Sequence, residues 1–195
     1  MFAACLVPAA DLAWNTWQLY AGTGGDLGVN PIETLTHRTG QWALRLLLVT
    51  LAITPLRRVS GWNRLVRFRR MFGLFAFFYA VLHFSVWMVF DHYFTIETMA
   101  EDILERPFIT AGAIALLAMI PLALTSTAWS IRKLGRRWQV LHRLIYVSGI
   151  AAVLHFLWKE KVIINETVAY AAILTLLLSI RVVFAVRKRV LTPQK

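Results

Sequence analysis

Apolar residues occur along this chain in six long stretches separated by short polar segments. The stretches cover approximately residues 2–20, 40–56, 71–90, 108–127, 139–158 and 167–186. A helix needs about 20 apolar residues to cross the hydrocarbon core of a bilayer, so the pattern predicts an all-α integral membrane protein, a bundle of six transmembrane helices. The first stretch is the least apolar because Asp11, Asn15 and Gln18 interrupt it. We expect it to be a retained helix, because it lacks the basic residue that precedes the apolar segment of a signal peptide.

The charged residues between the stretches predict how the bundle is oriented. Basic residues fill the second and fourth connections and the tail: Arg57, Arg58, Arg64, Arg67, Arg69 and Arg70, then Arg132, Lys133, Arg136 and Arg137, then Arg187, Lys188, Arg189 and Lys195. The other connections contain the acidic residues. Because basic loops stay on the cytoplasmic side, we expect both termini to be cytoplasmic.

Composition narrows the classes of protein to consider. The chain has 195 residues, of which 58% are hydrophobic, and a formal net charge of +11. Its basic residues lie in short clusters between apolar stretches, which disfavours nucleic-acid binding. Cys5 is the only cysteine, so the chain has no internal disulfide and no covalent haem attachment. With short connections and no internal repeat found, residues 1–195 are predicted to form a single transmembrane domain.

Three histidines lie within the apolar stretches: His83 in the third, and His142 and His155 in the fifth. An imidazole is costly in hydrocarbon and is a common axial ligand of haem iron. His83 follows Arg70 by thirteen residues and His155 follows Arg137 by eighteen, which places both about 20 to 27 Å from the basic rim. We therefore predict that His83 and His155 are the axial pair of one non-covalent haem b in the outer half of the membrane.

His142 lies about 20 Å below His155 along an ideal helix and is the candidate ligand of an inner haem. The matching position on the third stretch holds Arg69 or Arg70, and a turn of 100° per residue favours Arg69 as the inner partner. Thirteen residues also leave a rotation of about 140° between His142 and His155. Either the helix is distorted between them, for example at Gly149, or the two rings approach their ligands from different sides of the helix.

Four further polar residues have two interpretations each. His37 and His92 fall in or beside outer loops, where we expect solvated histidines. Arg45 and Arg143 lie inside the second and fifth stretches. They are candidate partners of haem propionates, although Arg143 would equally reach a lipid headgroup.

Several motifs resemble the MsrQ family, formerly YedZ. The similarity covers nearly the whole chain and is most specific at residues 134–158. The motifs are Asn30-Pro31-Ile32-Glu33, His37-Arg38-Thr39-Gly40, Arg69-Arg70-Met71-Phe72-Gly73-Leu74, Arg106-Pro107-Phe108, and Leu134-Gly135-Arg136-Arg137-Trp138-Gln139-Val140-Leu141-His142-Arg143.

The resemblance implies a ferric-reductase-like transmembrane fold in the inner membrane of a bacterium. It also implies haem b, FMN as a second cofactor, and electrons taken from the quinone pool or a cytosolic flavin reductase. Those electrons would pass outward to MsrP, a periplasmic molybdopterin enzyme that reduces methionine sulfoxide in proteins. By the same resemblance His83, His142 and His155 are haem-associated, and Arg69 matches an arginine near the inner site.

Relatives with two stacked haems carry a second histidine on the third helix, which this chain lacks. The chain also has no flavin and nicotinamide domain, which fits a subunit better than a complete enzyme. Two alternatives remain open on the sequence. One is another cytochrome of the same fold, a quinol cytochrome or a metalloreductase, and the other is a transporter with histidine proton relays.

Overall fold

The computed structural model describes residues 1–159 and 165–191, and every regular element in this part of the chain is helical. A short 3₁₀ turn, Asn63–Leu65, precedes α3, and a π-helical turn, Trp87–Asp91, follows it. The α-helices are α1 (Phe2–Tyr20), α2 (Pro31–Ser60), α3 (Val66–Val86), α4 (Ile96–Glu105), α5 (Pro107–Leu124), α6 (Ala128–Leu134), α7 (Arg136–Leu141), α8 (Leu144–Lys159) and α9 (Asn165–Leu191).

Five helical segments among the described residues are long and apolar enough to cross a membrane. They are Pro31–Ser60, Asn63–Asp91, Pro107–Leu124, Arg136–Lys159 and Glu166–Arg187. They contain or closely match the second to sixth predicted stretches. The first predicted stretch forms α1 but is not among the five, so its crossing of the membrane stays a prediction. The amphipathic α4 and the short α6 had no counterpart among the predicted elements.

Two helix pairs make the most extensive contacts in the bundle: α2 with α3, and α5 with α8. In each pair the first helix runs from the end of the bundle that bears α4, called here the acidic end, toward the opposite basic end, and the second returns. α9 packs against α2 and α8. The core between these helices includes Leu47, Leu51, Ala76, Tyr79 and Ile145. Close packing of such side chains supplies the van der Waals contacts that hold helices together where water is excluded.

The polar residues of α1 hold neighbouring segments in place. Asn15 is buried, donates to the Asp11 carbonyl and accepts from the Asp26 amide, at 2.9 Å in both bonds. A Cβ atom on Gly25 would lie 2.5 Å from the Asn15 carbonyl oxygen, so only glycine fits this close approach. The hydroxyl of Tyr79 on α3 donates to the Cys5 carbonyl at 2.7 Å and accepts from the Ala9 amide at 3.0 Å.

Tyr79 therefore bridges a backbone donor and acceptor one turn apart in α1, beside Pro8, which breaks regular helical bonding.

The fifth predicted stretch is interrupted where one of its histidines lies. α7 ends at Leu141, His142 caps it, and α8 begins at Leu144. This break is a helix distortion, the first of the two explanations offered for the rotation between His142 and His155. The proposed location of the distortion at Gly149 was wrong. Gly149 is buried within α8, where a Cβ atom would lie 3.0 Å from Leu51 Cδ1, so this glycine allows α2 and α8 to approach closely.

Candidate functional site

His83 lies on α3 with its ring held against α2. Its Nδ1 lies 2.9 Å from the Thr36 carbonyl oxygen, which can only accept, so Nδ1 carries the proton and donates it. A Cβ atom on Gly40, one turn further along α2, would lie 3.1 Å from two atoms of the imidazole ring. The carbonyl therefore fixes the tautomer and the glycine fixes the ring position, which leaves Nε2 unprotonated and able to bind a metal.

His155 has the same arrangement on the second helix pair. Its Nδ1 donates to the Phe108 carbonyl of α5 at 2.6 Å, and a Cβ atom on Gly112 would lie 2.8 Å from Nδ1. In both pairs 47 residues separate the histidine from its carbonyl acceptor. The carbonyl, the glycine and the histidine each recur 72 residues further along the chain. The prediction that the chain contains no internal repeat therefore misses this repeated arrangement, because few identical residues mark it in the sequence.

The two histidine rings face each other across the interface between the helix pairs. Their centroids lie 5.9 Å apart, with 75° between the ring planes. Two imidazoles that bind one metal from opposite sides, each through a bond of about 2 Å, have centroids roughly 6 Å apart. Among the described residues, neither Nε2 forms a hydrogen bond. The geometry fits a bis-histidine metal site of the kind that haem iron occupies.

A cavity of about 860 Å³ adjoins the pair and is lined by both histidines. Its walls come from α2, α3, α5 and α8, and they are largely apolar, with Leu44, Leu47, Phe84, Met119 and Phe156 among them. Cofactor pockets typically measure roughly 300 to 1,000 Å³ and are lined mainly by apolar side chains. The donor set, the spacing of the rings and the cavity together fit a haem b.

The acidic end of the cavity carries a polar cluster around the buried His92. His92 Nδ1 lies 2.9 Å from Thr98 Oγ1, and its Nε2 lies 3.2 Å from Asp102 Oδ2. Arg106 Nε lies 3.2 Å from the other oxygen of the same carboxylate. The expectation of a solvated His92 was wrong, because α4 folds back over this histidine and leaves its side chain only 8% exposed. The residues that follow it, Tyr93 and Phe94, have φ of 49° and 62°.

Positive φ is uncommon for aromatic residues, so the chain is strained where it turns from the π-helical segment into α4.

His37 also lines the cavity near this end and contacts the ammonium group of Lys159. Arg45 is not among the residues that line it. Its Nε donates to the Tyr170 hydroxyl of α9 at 2.8 Å, and its guanidinium lies over the Trp42 ring. Arg143 is exposed at the α7–α8 break, which fits the headgroup interpretation.

His142 occupies a separate location toward the basic end and does not line the cavity. Its ring stacks on Trp138 with the centroids 3.8 Å apart, and its Nδ1 donates to the Trp138 carbonyl at 3.1 Å. The Nε2 atom is buried and forms no hydrogen bond of ordinary geometry among the described residues, although the backbone of Leu122 also acts on this ring. Arg69 lies close enough for its charge to act on this ring. The structure thus brings together the two residues predicted for an inner site.

One residue that the sequence reasoning missed is Arg181, a cation within α9. It donates to the Tyr146 hydroxyl and to the carbonyl of Leu51. Pro55, four residues after Leu51, has no N–H to supply the helical bond to that carbonyl, and Arg181 replaces the missing donor. A lone arginine inside the sixth apolar stretch was the available signal, since such residues seldom lie there without a partner.

Comparison with known proteins places these features in a family. Residues 39–153 match the family described as ferric reductase like transmembrane component. A protein of Herminiimonas arsenicoxydans named "Protein-methionine-sulfoxide reductase heme-binding subunit MsrQ" is 47% identical over 97% of this chain and 85% of its own length. The chain belongs to the MsrQ family. With five long apolar helices in the part of the chain that the structure describes, this MsrQ family member is a multi-pass membrane protein.

Other relatives with the same name have similar sequence identity to this chain. The relative from Xanthomonas euvesicatoria is 49% identical over 92% of this chain and 83% of its own length. The relative from Bordetella pertussis is 48% identical over 97% of this chain and 90% of its own length. No solved structure matches the chain. The family assignment from the sequence motifs is confirmed.

Proposed function

We propose that this MsrQ family member is the haem b subunit that carries electrons across the inner membrane of a bacterium to MsrP, a periplasmic molybdopterin enzyme that reduces methionine sulfoxide in proteins. The observation that carries the proposal is the facing pair His83 and His155, each with Nδ1 held by a backbone carbonyl. The relatives are named as heme-binding subunits of a protein-methionine-sulfoxide reductase, which supports the same function.

Haem iron would supply reversible one-electron chemistry, and the protein residues would set its position and potential. The carbonyls of Thr36 and Phe108 orient the imidazoles and raise the basicity of Nε2. Gly40 and Gly112 let the rings lie directly against α2 and α5. Apolar walls exclude water from the histidine pair. Because both imidazoles are neutral and the surrounding dielectric is low, the surroundings of the site would reorganise little when it gains or loses one electron.

The electron route has an inner part for which we propose His142 as the ligand of a second haem, with Arg69 as its neighbour. The buried Nε2 of His142, which forms no hydrogen bond of ordinary geometry among the described residues, supports this assignment. The electron donor in this proposal is the quinone pool or a cytosolic flavin reductase, with FMN as an additional cofactor. The basic segments near Arg69 are suited to a negatively charged donor or flavin phosphate.

In this proposal the outer part of the route ends at the acidic end of the bundle, which the positive-inside pattern predicts to be periplasmic. The exposed acidic residues of α4, Glu97, Glu101 and Glu105, lie beside the mouth of the cavity. In this proposal they form the docking face for the periplasmic reductase, since surface charge raises association rates between redox partners.

The function is tested by rapid mixing. The purified protein is reduced anaerobically and mixed with MsrP, and the haem absorption is followed with and without a methionine-sulfoxide peptide. We expect reoxidation of the haem that continues to completion only when the peptide is present. A reduced haem that stays reduced with active MsrP and peptide would contradict the proposed route. The variant Arg45→Met, which is altered outside the cavity lining, serves as a control that should behave as wild type in this assay.

A further inference from the structure

The buried His92 at the acidic end of the cavity has a hydrogen-bonding oxygen opposite each ring nitrogen. Its Nε2 lies 3.2 Å from Asp102 Oδ2, and an ionised carboxylate can only accept. Its Nδ1 lies 2.9 Å from Thr98 Oγ1, and that hydroxyl also lies 3.0 Å from the Thr95 carbonyl oxygen. The hydroxyl has one hydrogen, so when it donates to the carbonyl its oxygen accepts from Nδ1. Both ring nitrogens then carry a proton, and His92 is an imidazolium.

The same contacts also accommodate a neutral imidazole. When Nδ1 has no proton, the Thr98 hydroxyl turns its hydrogen from the Thr95 carbonyl to Nδ1, and Nε2 still donates to Asp102. The Thr95 carbonyl keeps the hydrogen bond from the Met99 amide, at 3.2 Å. Exchange of one proton at His92 therefore leaves each of these polar atoms with a partner and needs only the rotation of one hydroxyl hydrogen.

One carboxylate and one guanidinium set the charge around His92. Arg106 Nε lies 3.2 Å from Asp102 Oδ1, so the carboxylate lies between a permanent cation and the histidine. The charges of Asp102 and Arg106 cancel, and the imidazolium adds one positive charge to them. Apart from His83 and His155, the other charged or titratable side chains that line the cavity in the described part of the chain are His37, Asp91, Tyr93 and Lys159.

His92 faces the same cavity as the proposed haem-binding pair. Its ring contacts that of Trp87, with the centroids 4.3 Å apart, and Trp87 follows His83 by four residues. The cavity walls are largely apolar, and charges interact strongly across such a poorly hydrated space because little water screens them. An electron added between His83 and His155 therefore favours the protonated form of His92, since the imidazolium offsets its charge.

We propose, on the basis of the haem in the proposed function, that His92 takes up one proton when an electron reaches the site between His83 and His155, and releases it when the electron leaves. The proton comes from water at the acidic end, where the Asp102 side chain is 17% exposed. It binds Nδ1 while the Thr98 hydroxyl turns away, so one proton enters with one electron. Reduction of a sulfoxide to a sulfide and water also consumes one proton per electron. His92 thus releases a proton at the end of the bundle where the proposed partner needs one.

The first test is a spectroelectrochemical titration of the purified holoprotein at a series of pH values. It measures the haem that His83→Ala removes, without MsrP, so a failure of electron delivery to the partner does not affect the result. In wild type the midpoint potential should fall as the pH rises within about pH 5 to 8, where histidine changes charge. One proton per electron corresponds to a slope of up to about 59 mV per pH unit. His92→Gln should remove the slope, and the matched control His37→Gln, altered in the other non-ligand histidine of the cavity, should retain it.

The second test uses Asp102→Asn, which keeps the shape of the side chain and removes the negative charge that favours the imidazolium. The pH range of the slope should therefore move to lower pH. Infrared difference spectra of the reduction, recorded with isotope-labelled histidine, should show imidazolium formation in wild type and not in His92→Gln.

A potential that does not change with pH in wild type would overturn the proposal, as would an unmoved pH range in Asp102→Asn. An equal slope in His92→Gln would also overturn it, because another group, such as a haem carboxylate, would then take up the proton. Absence of this haem from wild type is a different result, since it would contradict the proposed function and the proposal with it.

Discussion

Adding one methyl group at Gly112 tests whether the glycine holds the His155 ring in its binding position. The Cβ of Gly112→Ala would lie 2.8 Å from Nδ1, 3.1 Å from Cε1 and 3.3 Å from Cγ, all inside the 3.4 Å at which ordinary contact begins. Because all three atoms belong to one rigid imidazole ring, movement of a flexible side-chain end cannot relieve these close contacts. The ring must therefore move, and its bond to the Phe108 carbonyl must stretch.

Overpacking of this kind costs about 1 to 3 kcal/mol, and 1.4 kcal/mol corresponds to a tenfold change in an equilibrium constant. We expect haem affinity to fall roughly 5- to 150-fold, which agrees with the loss of about 10- to 100-fold that follows removal of a partner behind a metal-bound histidine. Haem transfer to apomyoglobin measures the affinity, and the absorption spectrum reports the change in axial ligation.

Two other glycines provide graded controls. At Gly40 the closest approach to the His83 ring is 3.1 Å, so Gly40→Ala should weaken haem binding less than Gly112→Ala. At Gly73 a Cβ would lie 3.6 Å from Thr50 Cγ2, which is ordinary contact, so Gly73→Ala should leave haem affinity unchanged. Gly112→Ala with wild-type affinity and spectrum would refute the reasoning, as would equal losses in all three variants.

Further outcomes follow from the other contacts. Tyr79→Phe removes the hydroxyl that bridges Cys5 and Ala9, so we expect the free energy of unfolding to fall by about 1 to 3 kcal/mol while the haem spectrum stays unchanged. Thermal or denaturant unfolding measures this, and unchanged stability would contradict the bridge. Arg45→Met should leave the haem content as in wild type, because Arg45 bonds to Tyr170 outside the cavity; haem loss would restore the propionate hypothesis. Arg181→Met should lower the unfolding temperature, because it leaves the Leu51 carbonyl beside Pro55 without a donor; an equal effect from Arg187→Met would contradict this role.

The sequence predicted the apolar helices well because a membrane span needs a long apolar stretch that few other structures contain. It could not predict α4, whose ten residues are amphipathic and lie outside those stretches. It also placed the break between His142 and His155 at the wrong residue. A glycine in a helix indicates either a distortion or a close approach of another element. At Gly149 the neighbouring Leu51 side chain of α2 shows that the glycine serves close packing.

The depth of His83 and His155 predicted their pairing, and the structure brings the rings face to face. The groups behind them were not predictable, because the Thr36 and Phe108 acceptors are backbone carbonyls that any residue provides. His92 was misjudged since its burial depends on α4. Arg181 was overlooked although its charge stood out in the sixth stretch, and its partner is a carbonyl that becomes available only through Pro55 on another helix.

Ligand replacement followed by electron paramagnetic resonance tests most directly whether His83 and His155 ligate one haem. Wild type should show a low-spin haem signal, and His83→Ala and His155→Ala should each abolish the signal of that haem. His37→Ala and His92→Ala, which alter other histidines of the same cavity, should retain it. Retention of an unchanged low-spin signal in either ligand variant would contradict the account.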